Sequence, residues 1–258
     1  MDNVSHGTYF TLDGHVEMQK YRYVYFAVTL TLYLLIIGFN SILISIVCCS
    51  KKLHEPMYVF LCALFCNTLF GTSAFYPKLL QDFLSDTQLI SYSGCIVQAF
   101  VIYTYAASEF TLLSVMAYDR YVAICKPLQY NTIVTPSSVT KLLLFAWILP
   151  VCETSVMLSL TSRLTLFDYR LNRVYCDNYS IVKLSCENTA VNNIYGLFAL
   201  IITVFPALFF IIFSYVRILH ICLNSSEEYR RKALQTCLPH IVIFINFSVN
   251  SVFEIIHN

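Results

Sequence analysis

The chain has 258 residues, 58 % of them hydrophobic and only 12 % charged, with a net charge of +1. A soluble domain is nearer about half apolar and about a quarter charged, so the composition points to a membrane-embedded chain. A balance this close to neutral offers no basic surface for nucleic acid, and no nucleophile–base constellation, Gly-rich phosphate loop or metal-ligand spacing suggests an enzyme.

In chain order, residues 1–22 form a tail, "MDNVSHGTYFTLDGHVEMQK" and two more, without the basic start and apolar core of a cleavable leader. Six apolar runs follow, at 23–49, 57–80, 92–118, 141–160, 194–220 and 234–256. Each reaches the roughly 20 residues that a helix needs to cross hydrocarbon. A long loop, 161–193, separates the fourth and fifth runs, and residues 257–258 end the chain. The short alternating segments of a membrane barrel are absent. The expected fold class is an all-α integral membrane protein, one bundle of spanning helices over 23–256.

Basic residues in short loops favour the cytoplasm. Lys51 and Lys52, then Arg120 and Lys126, then Arg217, Arg230, Arg231 and Lys232 occupy every second connection. The intervening ones carry Lys78 with Asp82 and Asp86, and the mixed charges of 161–193. Lys20 and Arg22 oppose the trend. The balance puts the N-terminus outside. Asn3 and Asn178 then head external Asn-x-Ser sequons, candidates for glycosylation, whereas the triplets at Asn224 and Asn246 fall inside or within the membrane.

Most of the eleven cysteines lie in apolar runs and read as small buried hydrophobes. Cys95, Cys176 and Cys186 fall on the oxidising side, where a bridge from Cys95 would tie the long loop over the bundle. Spacing leaves its partner open. Within the third run, Glu109 is a carboxyl in the membrane, a functional candidate by default. Ten residues on, Asp119 and Arg120 sit together where that run meets water.

The string around that pair is "MAYDRYVAIC", Met116–Cys125, followed by "KPLQY". Elsewhere in the chain are "PMYVFL" from Pro56, Asn40 in "IIGFNSILI", "SY" at Ser214–Tyr215, "KALQTCLPH" from Lys232, and "YCDN" and "KLSC" in the long loop. Together they resemble the odorant-receptor branch of the rhodopsin-like G-protein-coupled receptors. "NNIYG" and "FYPKLL" are similar to fish odorant receptors.

The resemblance implies a rhodopsin-like bundle in the plasma membrane, with six of the usual seven spans before the chain stops at Asn258. It implies an activation switch and G-protein contact at Asp119, Arg120, Tyr121, Tyr215 and Lys232. It implies an odorant pocket lined by Ile102, Tyr103, Ala106 and Ala107, by Ala199 and Thr203, and by Asn250 and Phe253. It pairs Cys95 with Cys176. Phe167 stands where the loop usually has a third cysteine, which leaves Cys186 without its usual partner. An intramembrane polar site of Asn40, Asn67 and Glu109 would hold Na⁺ if charged. Asn67 replaces the family's usual Asp, so the alternative is a protonated Glu109 bonded to Asn67 or Asn40. The implied partners are a small-molecule odorant, a heterotrimeric G protein of the stimulatory olfactory type, and membrane lipid. Rival readings are a truncated, non-signalling receptor remnant and a six-span transporter or channel. The second predicts broken helices in pairs, a repeated half or rings of charge.

Overall fold

The computed structural model describes residues 9–14, 20–50 and 54–257, with the side chains of 229, 232, 234 and 252–257 outside that description. Asn3 lies outside the described residues. The long helices are α1 (Arg22–Cys49), α2 (Pro56–Leu84), α3 (Tyr92–Cys125), α5 (Pro136–Thr161), α7 (Ala190–Leu223) and α8 (Glu227–His257). A one-turn helix α4 (Tyr130–Ile133) and a short α6 (Asn178–Lys183) lie between them. Five of the long helices, α1, α2, α3, α5 and α7, are long and apolar enough to cross a membrane. The sixth expected run, 234–256, also lies within a helix, α8, which is not among those five on its described residues.

The helix starts follow local chemistry. Pro56 and Pro136 sit in first turns, where a missing N–H costs nothing. The Ser91, Thr135 and Asp177 side chains cap α3, α5 and α6 by accepting from Gly94 N (3.1 Å), Ser138 N (3.2 Å) and Ser180 N (2.8 Å). Thr135 and Pro136 thus begin α5 five residues before the apolar run at Lys141. α3 also outruns its expected end at 118, continuing to Cys125. Asp119 and Arg120 are therefore inside a helix and not at its terminus.

α3 is the central helix, packed against α2, α5, α7 and α8, while α1 packs on α2. Of the most apolar stretch of each, 56 % is buried in α3 and 6 % in α1. Between helices in lipid, close packing replaces the hydrophobic drive, and small residues let backbones approach. Ala99, Ala117 and Ala146 are fully buried for this reason. Gly71 of α2 lies against the Tyr105 ring of α3, and a Cβ there would sit 2.6 Å from Tyr105 Cδ2. Gly71→Val should force that ring aside at about 1–3 kcal/mol, the usual cost of overpacking. The expected readout is a lower thermal-unfolding midpoint of the detergent-solubilised protein, and an unchanged midpoint would contradict the contact.

The all-α expectation fails at one end. Strand β1 (Tyr9–Leu12) pairs antiparallel with β2 (Leu89–Ser91) and parallel with β3 (Arg170–Leu171), giving sheet order β2-β1-β3. The expected tail is thus in part a strand. Its side chains alternate: Phe10 and Leu12 are fully buried, and Tyr9 is exposed. Phe10 stacks on Tyr92 at 5.9 Å and meets Tyr169 at 5.6 Å.

The Cys95–Cys176 disulfide lies in the same cluster, with Cα atoms 5.3 Å apart. Gln98 of α3 accepts from Cys176 N at 2.9 Å and donates to Ala74 O of α2 at 3.0 Å. Cys186 is a free, exposed thiol. Beside it, Glu187 accepts from Thr165 N at 3.0 Å and from the Thr165 hydroxyl, clasping two ends of the loop. Those hydrogen bonds hold the Glu187 carboxyl below its ordinary range. The clasp is therefore complete at neutral pH and is released as pH falls through that lowered value.

The Asn178 side chain is largely buried, with Oδ1 accepting from the Thr161 hydroxyl at 2.6 Å, and Asn192 of α7 donates to that same hydroxyl at 3.3 Å. This triad joins α5, α6 and α7.

Candidate functional site

At the end of α3 remote from the disulfide, Asp119 is almost wholly buried and Arg120 has 11 % of its side chain exposed. Arg120 Nε donates to Asp119 Oδ2 at 2.9 Å, and Nη2 donates to the same oxygen. Asp119 Oδ1 accepts from the Tyr130 hydroxyl at 2.7 Å. Tyr130 reaches it because a 3₁₀ turn at Pro127–Gln129 folds the chain back from α3 into α4. Burial, and then the carboxylate acceptor beside it, push the Tyr130 phenol above its usual range, so it stays a donor. Both oxygens of the buried carboxylate are thus satisfied, as a buried charge demands.

Tyr215 of α7 and His240 of α8 lie on helices packed against α3. Tyr215 packs in two clusters, one of them with Tyr121, Ile124 and Cys237. His240 is buried, and among the described residues its Nδ1 has no hydrogen-bond partner. The structure pairs Asp119 with Arg120, and Tyr121 packs in one cluster with Tyr215. The Lys232 side chain lies outside the described residues. Tyr130 and His240 received no role from sequence. Both stand in quoted strings, "KPLQY" and "KALQTCLPH".

Deeper along α3, Asn67 Nδ2 donates to Glu109 Oε2 at 2.7 Å and to Tyr105 O at 3.1 Å. Asn40 does not join them: its amide donates to Ile36 O within α1 at 2.8 Å. The carboxyl and the amide N–H make a buried hydrogen-bonded pair.

Of the expected pocket residues, Ile102, Tyr103, Ala106, Ala107 and Ala199 are half-buried and Thr203 is buried. Tyr103 packs with Phe100, Met157 and Tyr195 between α3, α5 and α7. Thr203 donates its hydroxyl to Glu153 of α5, a contact sequence reasoning missed. Glu153 is a carboxyl in an apolar run, and the rule that singled out Glu109 would have found it. Asn250 is a correction. It is exposed and donates to Asn246 O at 2.9 Å, and the residue α8 turns inward is Phe247, 4.9 Å from Phe110. The Phe253 side chain lies outside the described residues.

The profile of the olfactory receptor family matches residues 29–258. Human (Homo sapiens) Olfactory receptor 6N1 is 33 % identical over 240 residues, covering 92 % of this chain and 77 % of its own length. Olfactory receptor 12D1, also human, is 35 % identical over 262 residues, 100 % of this chain and 82 % of its own. Olfactory receptor 52K1 of the same species is 40 % identical over 207 residues, 78 % of this chain and 65 % of its own. With the matching helical architecture and the Cys95–Cys176 bridge, the chain belongs to the olfactory receptor family of multi-pass, non-enzymatic G-protein-coupled receptors.

Proposed function

We propose that this chain is a plasma-membrane receptor that binds a small odorant within the bundle and activates a stimulatory heterotrimeric G protein of the olfactory type. In this reading α8 also crosses the bilayer and the N-terminus is outside. The sheet and disulfide then face the exterior, and the Arg120 end faces the cytoplasm. Lys126, Arg217, Arg230 and Arg231 near that end support the orientation.

The observation that carries the reading is Arg120 on the central helix, bonded to Asp119 and next in sequence to Tyr121, which packs with Tyr215 of α7 and Cys237 of α8. A guanidinium largely out of water needs partners, and two alternative partner sets make a bistable element. In the resting set Arg120 pairs with Asp119. In the active set it turns toward Tyr215 and the G protein. An odorant shifts the balance by binding the active arrangement more tightly. The odorant lies beside Ile102, Tyr103, Ala106 and Ala107 of α3 and Ala199 and Thr203 of α7.

The test is a cyclic-AMP reporter in cells displaying the surface-tagged chain, challenged with a panel of small odorants. A dose-dependent rise that mock-transfected cells lack is expected. Silence across the panel, with the chain stained at the surface and the stimulatory G protein co-expressed, would count against the reading.

A further inference from the structure

A groove of about 290 Å³ lies between α3, α5 and α7. Its walls are mostly apolar, among them Val115, Leu142, Phe145, Leu149 and Phe210. Two of its hydroxyls are already engaged, Thr111 donating to Ala146 O at 2.8 Å and Ser114 to Phe110 O at 3.0 Å. Thr203 also lines it, and Thr203 is the residue that donates to Glu153. Glu153 is half-buried one helical turn beyond Leu149 on α5, about 6 Å along the axis. One wall residue of the groove, Thr203, is thus bonded to a carboxyl.

That carboxyl has no counter-charge. The ion pairs of the described residues are Arg22–Asp86, Lys78–Asp82, Arg120–Asp119 and Arg173–Asp177, and none involves Glu153. The groups facing it are hydroxyls: Thr203, and Tyr195, which donates to the Glu153 carbonyl at 3.2 Å. An intramembrane carboxyl is costly and is retained where a partner or a ligand uses it. At the disulfide end, the buried Phe10, Leu12 and Ile181 fill the space over Cys95, so a side approach between helices suits an apolar ligand.

We propose that this groove is a binding site for a small apolar amine, its hydrocarbon body among Phe145, Leu149 and Phe210 and its ammonium between the Glu153 carboxylate and the Thr203 hydroxyl oxygen. Thr203 keeps its proton on Glu153 and offers its lone pairs to the amine N–H. The ligand supplies the positive charge that the protein lacks, and Glu153 sets specificity for amines over alcohols of equal length. This rests on the odorant-receptor reading and names the ligand class that Thr203 helps to select.

The test uses the full chain in lipid nanodiscs and two photoreactive probes, an n-octylamine and a 1-octanol carrying the same diazirine. Saturable labelling by the amine should map to α5 and α7 peptides. Glu153→Gln keeps an oxygen for Thr203 and removes the charge. It should weaken amine labelling at least about thirtyfold, the low end of the range for losing one partner of a desolvated charge pair, and leave the alcohol within about twofold. Ala207→Phe, which fills the groove, should weaken both. Equal loss of both probes in Glu153→Gln would make Glu153 a brace between α5 and α7 and overturn the proposal. So would undiminished amine labelling, or labelling that never saturates, as expected if bilayer acyl chains occupy the groove. Labelling needs no G protein, so a chain that binds the amine without raising cyclic AMP supports the site and contradicts the signalling reading. A chain that answers other odorants and ignores the amine overturns the site alone.

Discussion

Arg120→Ala removes odorant-driven cyclic-AMP production while the receptor still reaches the cell surface. In the proposed switch the guanidinium is the group that leaves Asp119 and turns toward Tyr215 and the G protein. Without it the bundle keeps its helices but loses the part that distinguishes resting from active. Losing about 3 kcal/mol of preference for the transducer-competent arrangement is about a hundredfold in response. The measurement is the cyclic-AMP dose–response normalised to surface staining. A full response from Arg120→Ala would remove the switch from the account.

Cys176→Ser has the second large effect, and it acts on folding. The bridge closes a loop with a sequence separation of 81 residues. Loss of a native disulfide costs about 2–5 kcal/mol, with the long-loop end of the range expected here. The cost spreads beyond the sulfur. Cys176 is held by Gln98, and its cluster includes Phe10 and Leu12 of β1, Ile90 of β2 and Leu171 of β3. The sheet should therefore loosen with the bond. Surface staining of Cys176→Ser should fall several-fold, and protease should cut the N-terminal strand faster. Peptide mass spectrometry of the unreduced protein should find Cys95 joined to Cys176. Free thiols at both positions would contradict the structure.

Helices were legible because apolar runs of bilayer length have few other uses, and the central switch because "MAYDRYVAIC" is a long and specific string. What escaped the sequence was tertiary. Tyr130 could be read as part of the string, but its bond to Asp119 depends on a turn that folds α4 back under α3. β1 is four residues long in a polar tail, too short for alternation to stand out, and it pairs with segments about 80 and 160 residues away. Asn178 matched a surface sequon, yet the cap that Asp177 places on α6 turns it toward Thr161. Asn250 is polar at a position assigned to the pocket, but Phe247 takes the inward face of α8. Asn40 and Asn67 looked equivalent as partners of Glu109, and only packing between α2 and α3 selects Asn67.

The most direct measurement of the central claim is ligand-free nucleotide exchange on a stimulatory G protein, driven by membranes containing the chain or its Tyr130→Phe variant. The Tyr130 hydroxyl donates to a charged oxygen of Asp119, a bond worth about 1.5–3 kcal/mol. If that bond helps to hold Asp119 on Arg120 in the resting arrangement, its loss should raise basal exchange about tenfold or more, without loss of surface receptor. Basal exchange equal to that of the unmodified chain, with odorant-driven exchange intact in both, would mean that the Asp119 network does not hold the receptor at rest.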